Sequence, residues 1–418
     1  MKKRHKIKIK LSYIAIAFLL LLALLTGLVN QTILSLGMVF CYLLLFLDGQ
    51  LYLAFPFLIF YYSTYGLLFG ISVPRIYTIL LLADFLVKSA GKLKVKAKFL
   101  FPLLVYLFYI LNFTIFQESL LLITTFLDII ICFLLIACLN DEKNIIEEFF
   151  TVYILVSFCS IITGVLTENY IGNEFTYHRF QASFEDPNYA GFFFTIAVFS
   201  AITLNLFNKY LRVAIVALLY IAIIATLSIT AMLVNLVAWV SYFLVINKIK
   251  FRTILTIVLA IIAVLCLYNY GLKNKDAALV GEFSARVKEK VDDFILGDME
   301  KATTGRTELW KDNLEYYSSS KIGNILFGGI HVNGRYINPS LSGASHNDFV
   351  DMLLNVGIIG MLVLMGYYMY NCVKYIMNYR KQKDKYSLFC IMSKLIWMYY
   401  ATGLTMFLDF RFALFFLL

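Results

Sequence analysis

Arg179, Arg306 and His346 are the residues of this chain whose types and settings could do chemistry. Each stands in a polar stretch just ahead of an apolar one or beside it: Arg179 in YHRFQASFEDPNYAG, Arg306 in GRTELWKDNLEYYSS, His346 in SHNDFVDMLLNVGIIG. A guanidinium is a planar fork that grips phosphate oxygens in pairs and holds its charge through the whole physiological range. An imidazole that is neutral near pH 7 can take the proton of a hydroxyl. Two arginines and such a histidine could hold a phosphorylated donor, neutralise the departing phosphate and activate an alcohol. A plainer reading competes at each position: a solvated or headgroup-facing Arg179, a surface arginine at a helix start for Arg306, and a hydrogen-bonded histidine at a helix entrance for His346. Ser345 reads as the N-cap of the helix after His346, with Asp348 in its first turn. The positive end of that helix, together with nearby arginines, disfavours imidazolium. Arg335, Trp310 and Asn347 join Arg179 and Arg306 as candidate substrate-binding residues. Arg286 is a further loop cation, while His178 and His331 sit in plainer loop sequence.

No metal site and no cofactor site is expected. Asp292–Asp293 and Glu185–Asp186 are adjacent acids rather than a spaced ligand set, and there is no HExxH, Walker A or dinucleotide fingerprint. The seven cysteines are scattered through apolar sequence or at its edges, without a CxxC pair, and read as small buried hydrophobes.

The elements that must position these side chains are membrane helices. The 418 residues are 61% hydrophobic and 15% charged, with a mean hydropathy of +0.81, well above a soluble domain. Apolar windows fall near 11–29, 31–47, 51–71, 75–90, 99–116, 120–139, 146–166, 189–207, 211–228, 230–247, 253–271, 347–373 and 387–405. A half-span, 406–418, with Asp409 and Arg411, completes a short hairpin. The expectation is an all-α polytopic membrane protein of about 13–14 transmembrane helices, its first helix retained rather than cleaved. It is organised as spans over 1–271, a large helical extracytoplasmic loop over 272–346, and C-terminal spans over 347–418, all in one membrane domain.

The net charge of +10 is distributed as a topology signal rather than a nucleic-acid footprint. Met1–Lys10 carries six cations and Lys88–Lys98 five, and Lys248–Arg252 and Lys374–Lys385 are also basic. Short basic loops face the cytoplasm. With the N-terminus inside, alternation puts these loops inside too, and only acidic Asn140–Glu148 dissents. The same count places Thr167–Asn188 and the 272–346 island outside. The island is neutral, with ten cations and ten anions.

Within the island, Trp310, Leu314 and Tyr317 recur at helical spacing after Thr304 and Gly305, and Phe283, Val287, Val291 and Phe294 mark a second amphipathic helix. Asp186 and Pro187 make an N-cap and a first-turn proline. Gly357 and Gly360 read as close-packing positions, and Asp84 as a partner of Lys88. Asp128 is a charge in mid-span and is the feature that suits a transporter. The outer face of a cell membrane offers neither ATP nor nucleotide sugars, so synthesis there must use donors carried across on a lipid phosphate.

RxxxxFxDPNxxG before a span, GRxxxW in an outer loop and HNxxxxxxxxxGxxG entering a late span together resemble the O-antigen polymerase and ligase superfamily. The likeness extends to the topology of most of the chain, its specific residues lying between Arg179 and Gly360. One departure is Ala182-Ser183, where glycine is common in the family. The resemblance implies a GT-C-like membrane glycosyltransferase of the bacterial cytoplasmic (inner) membrane. Such an enzyme inverts configuration without a metal ion and joins undecaprenyl-diphosphate-linked glycans as donor and acceptor, for capsule, exopolysaccharide or O-antigen. Arg179 and Arg306 would hold the diphosphate and His346 the acceptor hydroxyl. The implied partners are these lipid-linked glycans, membrane lipids, a chain-length regulator and a flippase, with no nucleic acid. A polymerase is favoured; a ligase acting on a lipid or protein acceptor, a lipid-linked oligosaccharide flippase and a non-catalytic assembly factor are the alternatives.

Overall fold

The computed structural model describes residues 10–62, 67–68, 71–89, 143–171, 178–246, 268–274, 278–303, 305–329, 331–332, 335–336, 345–404, 406 and 409–418, with short pieces at 102–105, 107, 135 and 266. The spans expected near 99–116, 120–139 and 253–271, Thr304 and Asp128 lie wholly or largely outside the described residues, as do the side chains of Lys88, His331 and Arg335.

The described residues form helices, with two-residue strands paired in antiparallel hairpins. In chain order the helices are α1 (Leu11–Leu24), α2 (Gln31–Leu47), α3 (Phe55–Tyr61, entered by a 3-10 turn), α4 (Val73–Ser89), α5 (Lys143–Leu166), α6 (Pro187–Thr203), α7 (Lys209–Ala225) and α8 (Ile229–Val245). The island then supplies α9 (Ala278–Ile295), α10 (Met299–Thr303), α11 (Arg306–Ser318) and α12 (Ile322–Phe327), and the chain closes with α13 (Asp348–Gln382), α14 (Lys385–Ala401) and α15 (Phe410–Leu417). Among the described residues, Asn144–Leu166 and Asp348–Gln382 are each long and apolar enough to cross a membrane alone; several apolar helices are shorter.

Connections that alternation assigns to one face meet at one end of the bundle. Thr167–Asn188, the turn after α7, the start of α11, the entry to α13 and the turn after α14 touch or face one another there. At the opposite end Ser12 N donates to Asp48 and Tyr52 Oη to Glu148.

The core is aromatic. Phe192 and Phe193 of α6 pack on Phe412 and Phe415 of α15, and Phe60 packs on Phe184 and Tyr153. Of the half-span expected over 406–418, the described residues form the short helix α15. α15 has 8 residues, about 12 Å of helix against roughly 30 Å of hydrocarbon, and every one of them is buried. A helix that ends inside protein must still satisfy its last carbonyls. Here Lys394 Nζ donates to Phe416 O at 2.7 Å, Tyr367 Oη to Leu417 O at 3.0 Å and Tyr375 Oη to Leu418 O at 2.6 Å. Lys394 is wholly buried, and a cation at a helix C-terminus is favoured by the helix dipole.

α13 is broken at Gly357, whose φ of 68° and ψ of −177° leave the helical region. The break admits the end of α12: a Cβ on Gly357 would lie 2.5 Å from Gly328 N and from the Leu326 carbonyl, and Gly329 N donates to Asn355 O at 3.0 Å. Gly357 is thus a close-packing position, and it needs glycine's left-handed freedom as well. Gly357→Ala is expected to cost about 1–3 kcal/mol from overpacking, with backbone strain added. A lowered melting temperature of the detergent-solubilised protein checks it.

The amphipathic readings need adjustment. α11 buries Asn313 and Tyr317, whereas Leu314 is 42% exposed. Tyr317 packs with Val350 and Leu354, so the inner face is set by the docking of α12 and α13 rather than by the Leu314 position. Val291 and Phe294 of α9 likewise remain exposed.

Candidate functional site

Arg179 occupies β2 (Arg179–Phe180), which pairs antiparallel with β1 (Tyr170–Ile171). The strand leads into a turn in which Ala182 takes φ 54°, the left-handed conformation that glycine adopts most easily. The turn is held by Asn169 Nδ2, which donates to Ala182 O and Phe184 O, and by Ser183 Oγ, which donates to Phe60 O. Asp186 then caps α6, accepting from Asn188 N at 2.6 Å, with Pro187 in the first turn.

This frame aims the Arg179 guanidinium across to the turn after α7. Its Nε donates to Thr226 O at 3.2 Å and its Nη2 to Asn188 Oδ1 at 3.1 Å. Asn188 Oδ1 also accepts from Ser228 Oγ at 2.7 Å, so one amide oxygen joins Arg179 to the N-cap of α8. Asn188 lies in the same DPN run as Asp186 but was not singled out from sequence. The role it has here, acceptor to an arginine, depends on a turn that is distant in sequence.

Arg306 opens α11 behind Gly305, whose φ is 77°. Its Nη1 donates to Gly403 O in the turn after α14 at 3.0 Å. A Cβ on Gly403 would stand 3.3 Å from that nitrogen, so glycine allows the approach.

The loop bearing His346 is fixed on both sides. Trp310 Nε1 donates to Ser345 O at 2.8 Å, and Ser345 N donates to Asp351 Oδ1 at 3.3 Å. The N-cap of α13 is Asn347 rather than Ser345: Asn347 Oδ1 accepts from Phe349 N at 3.0 Å and from Val350 N at 3.4 Å. Ser345 instead braces the cap, its Oγ accepting from Asn347 N and donating to Asn347 O. Between them His346 is turned outward with φ 53°, a strained conformation costing of order 1–3 kcal/mol that surrounding structure must enforce. Trp310 and Asn347 therefore act on this loop directly. Trp310 anchors its carbonyl and Asn347 starts the helix beneath it.

Electrostatics tie the pieces together. Burial pushes the Arg179 guanidinium down to about 10, Arg286 and Arg306 lowering it further and Asp186 opposing them. Burial likewise lowers Arg306, with Asp186 opposing. His346 is held below its ordinary 6.5, first by desolvation and then by Arg306, against Asp186 and Asp351. Arg179, Arg306, His346 and Asp186 are thus within electrostatic reach of one another. Arg335 lies on β3 (Arg335–Tyr336), and His178 is exposed at the start of the Arg179 segment.

The nearby Arg411 marks the contrast. It is 4% exposed and bound to Asp409 Oδ2 at 2.6 Å and Glu185 Oε1 at 2.8 Å. Among the described residues no carboxylate comes within ion-pair distance of Arg179 or Arg306, and no acceptor meets Arg179 Nη1 or the Nε and Nη2 of Arg306. Arg411 is neutralised by the protein; Arg179 and Arg306 are left as a paired positive charge. Also among the described residues, no group of three or more His, Cys, Asp or Glu side chains could hold a metal ion.

Residues 213–365 match the O-antigen ligase family. No curated protein matches the chain. The matched stretch includes Arg306, Trp310 and His346 and stops short of Arg179, whose segment meets it through Thr226. This match, and the three motifs around it, support the likeness to the O-antigen polymerase and ligase superfamily.

Proposed function

We propose that the protein polymerises undecaprenyl-diphosphate-linked oligosaccharide repeat units on the outer face of the bacterial cytoplasmic membrane. The observation that carries this reading is the pair Arg179 and Arg306, cations without a carboxylate counter-ion among the described residues, set beside a histidine that desolvation keeps neutral. The arginines hold the donor diphosphate and balance the charge that grows on it as it leaves. The acceptor hydroxyl loses its proton to His346 as its oxygen bonds to the anomeric carbon. The bond from that carbon to the diphosphate oxygen breaks with its electron pair. Attack from the face opposite the leaving group inverts the anomeric configuration.

The test is direct. Purified protein given a lipid-linked repeat unit is expected to yield a ladder of longer lipid-linked glycans. Lipid scrambling without elongation would replace this reading by a transporter. A second reading, ligation, draws support from the description of the matched family. It predicts instead that glycan moves to an added lipid or protein acceptor and that no ladder forms without one.

Trp310→Phe keeps the ring and removes the hydrogen bond to Ser345 O. Such a bond is worth about 0.5–1.5 kcal/mol, so transfer should slow by about twofold to tenfold. An unchanged kcat would show that the loop does not need this anchor.

A further inference from the structure

A cavity of about 480 Å³ lies where the end of α1, the start of α2, the end of α5 and the Gln181–Glu185 turn come together. Its size falls within the roughly 300–1,000 Å³ of small-molecule sites. Thr26, Thr167, Gln181 and Glu185 contribute polar groups to the wall, and Val29 and Leu34 contribute apolar surface. No Lys, Arg or His lines it among the described residues. Its one carboxylate, Glu185, is held by Arg411 at 2.8 Å.

That lining discriminates among ligands. A phosphate would find no cation in it. A metal ion would find a single carboxylate already engaged by an arginine. A lipid tail would strand hydroxyls and amides against hydrocarbon. A neutral, polyhydroxylated ring suits it, because Thr26 and Thr167, whose hydroxyl protons go to Leu22 O and Thr163 O, and Gln181, whose Nε2 donates to Glu185 O, keep oxygens that accept from sugar hydroxyls, while the apolar side covers the C–H face of the ring. Position points the same way. The turn forming one wall begins two residues after Arg179 and ends beside Asp186, whose charge acts on both Arg179 and Arg306.

We infer that this cavity is a sugar subsite, taking a neutral glycosyl unit of the lipid-linked chain whose diphosphate lies on Arg179 and Arg306. The inference rests on the donor-binding reading above. It assigns to the α1–α2 turn and the end of α5 the recognition of the glycan rather than of its phosphate.

Binding separates the two. Full-length protein in detergent is titrated with a polyprenyl diphosphate and with the same lipid carrying an N-acetylhexosamine or a hexose. At least one sugar-bearing probe should bind roughly tenfold tighter than the sugar-free parent, the equivalent of one or two net hydrogen bonds. Gln31→Trp, which fills the cavity from an exposed position, should erase that preference while leaving the parent unchanged. Thr167→Val, which removes one hydroxyl at nearly constant size, should reduce it about threefold and carries the test should the Trp variant misfold. Arg179→Ala should weaken all probes alike. If both cavity variants keep the full preference while Arg179→Ala weakens everything, the sugar subsite is wrong and the diphosphate site stands. If the wild-type protein does not distinguish the probes, the subsite is equally overturned; if it binds none of them, the donor reading falls with it.

Discussion

His346→Ala should lower the rate of glycan elongation by about 10²–10⁴-fold, the usual contribution of a positioned general base, with the protein still folded. Among the described residues no hydrogen bond ties the His346 side chain to the core, so the loss would be chemical. His346→Gln, which keeps polarity but cannot take a proton at neutral pH, should be about as inactive. The pH profile gives a second check. A base must be neutral, and desolvation together with Arg306 places the imidazole below 6.5. Activity should therefore hold as pH falls through 6.5 and decline only at lower pH, through the lowered value. Elongation measured from pH 5 to 8 reads this limb. A profile in which activity is already half lost above 6.5, or an unchanged rate in both variants, removes His346 from the chemistry.

The second large effect is expected at the arginines. Arg306→Ala should cost about 10²–10³-fold in kcat, as for loss of one preorganised donor to a developing negative charge. Arg306→Lys should recover only part, because an ammonium cannot grip two oxygens in a plane. Arg179→Ala should act on both binding and rate, since its anchors at Thr226 and Asn188 join two elements. The control is Arg411→Met. That substitution leaves Glu185 and Asp409 without their cation, so it should lower the melting temperature, as breaking a buried pair from one side does. Loss of the ladder in Arg411→Met at unchanged melting temperature, with Arg306→Ala fully active, would reverse the division between structural and donor-binding arginines.

Much of the local structure was legible in the sequence because local structure has short-range causes. Asp186-Pro187 specifies a capped helix start and Gly305 another, and both are seen. Gly357 was readable as a packing glycine, though its role in breaking α13 was not: the break answers to Gly328 and Leu326, which approach from another helix. Ser345 and Asn347 are both good caps, and the choice between them turns on Trp310 and Asp351 holding Ser345 by its backbone. In the site, Arg179, Arg306 and His346 each stood out by residue type and position. Asn188 and Gly403 did not, because an amide acceptor and a bare carbonyl acquire their roles only when a distant arginine arrives. Arg411 reads in the sequence only as a charge in an apolar stretch, since one of its partners is Glu185, 226 positions away.

That separation has a consequence for how the molecule is made. The turn carrying Arg179 leaves the ribosome long before the helix that completes its wall, by roughly 10–45 s at 5–20 residues per second. Until α15 arrives, Glu185 lacks its cation, and Phe192 and Phe193 lack the rings of Phe412 and Phe415. The nascent chain therefore waits with the Arg179 turn unsupported, and loss of α15 at any stage of biogenesis would leave that turn unlocked. α15 serves as a keystone for a turn made 226 positions earlier, and quality control would meet its most vulnerable substrate just before that helix is set.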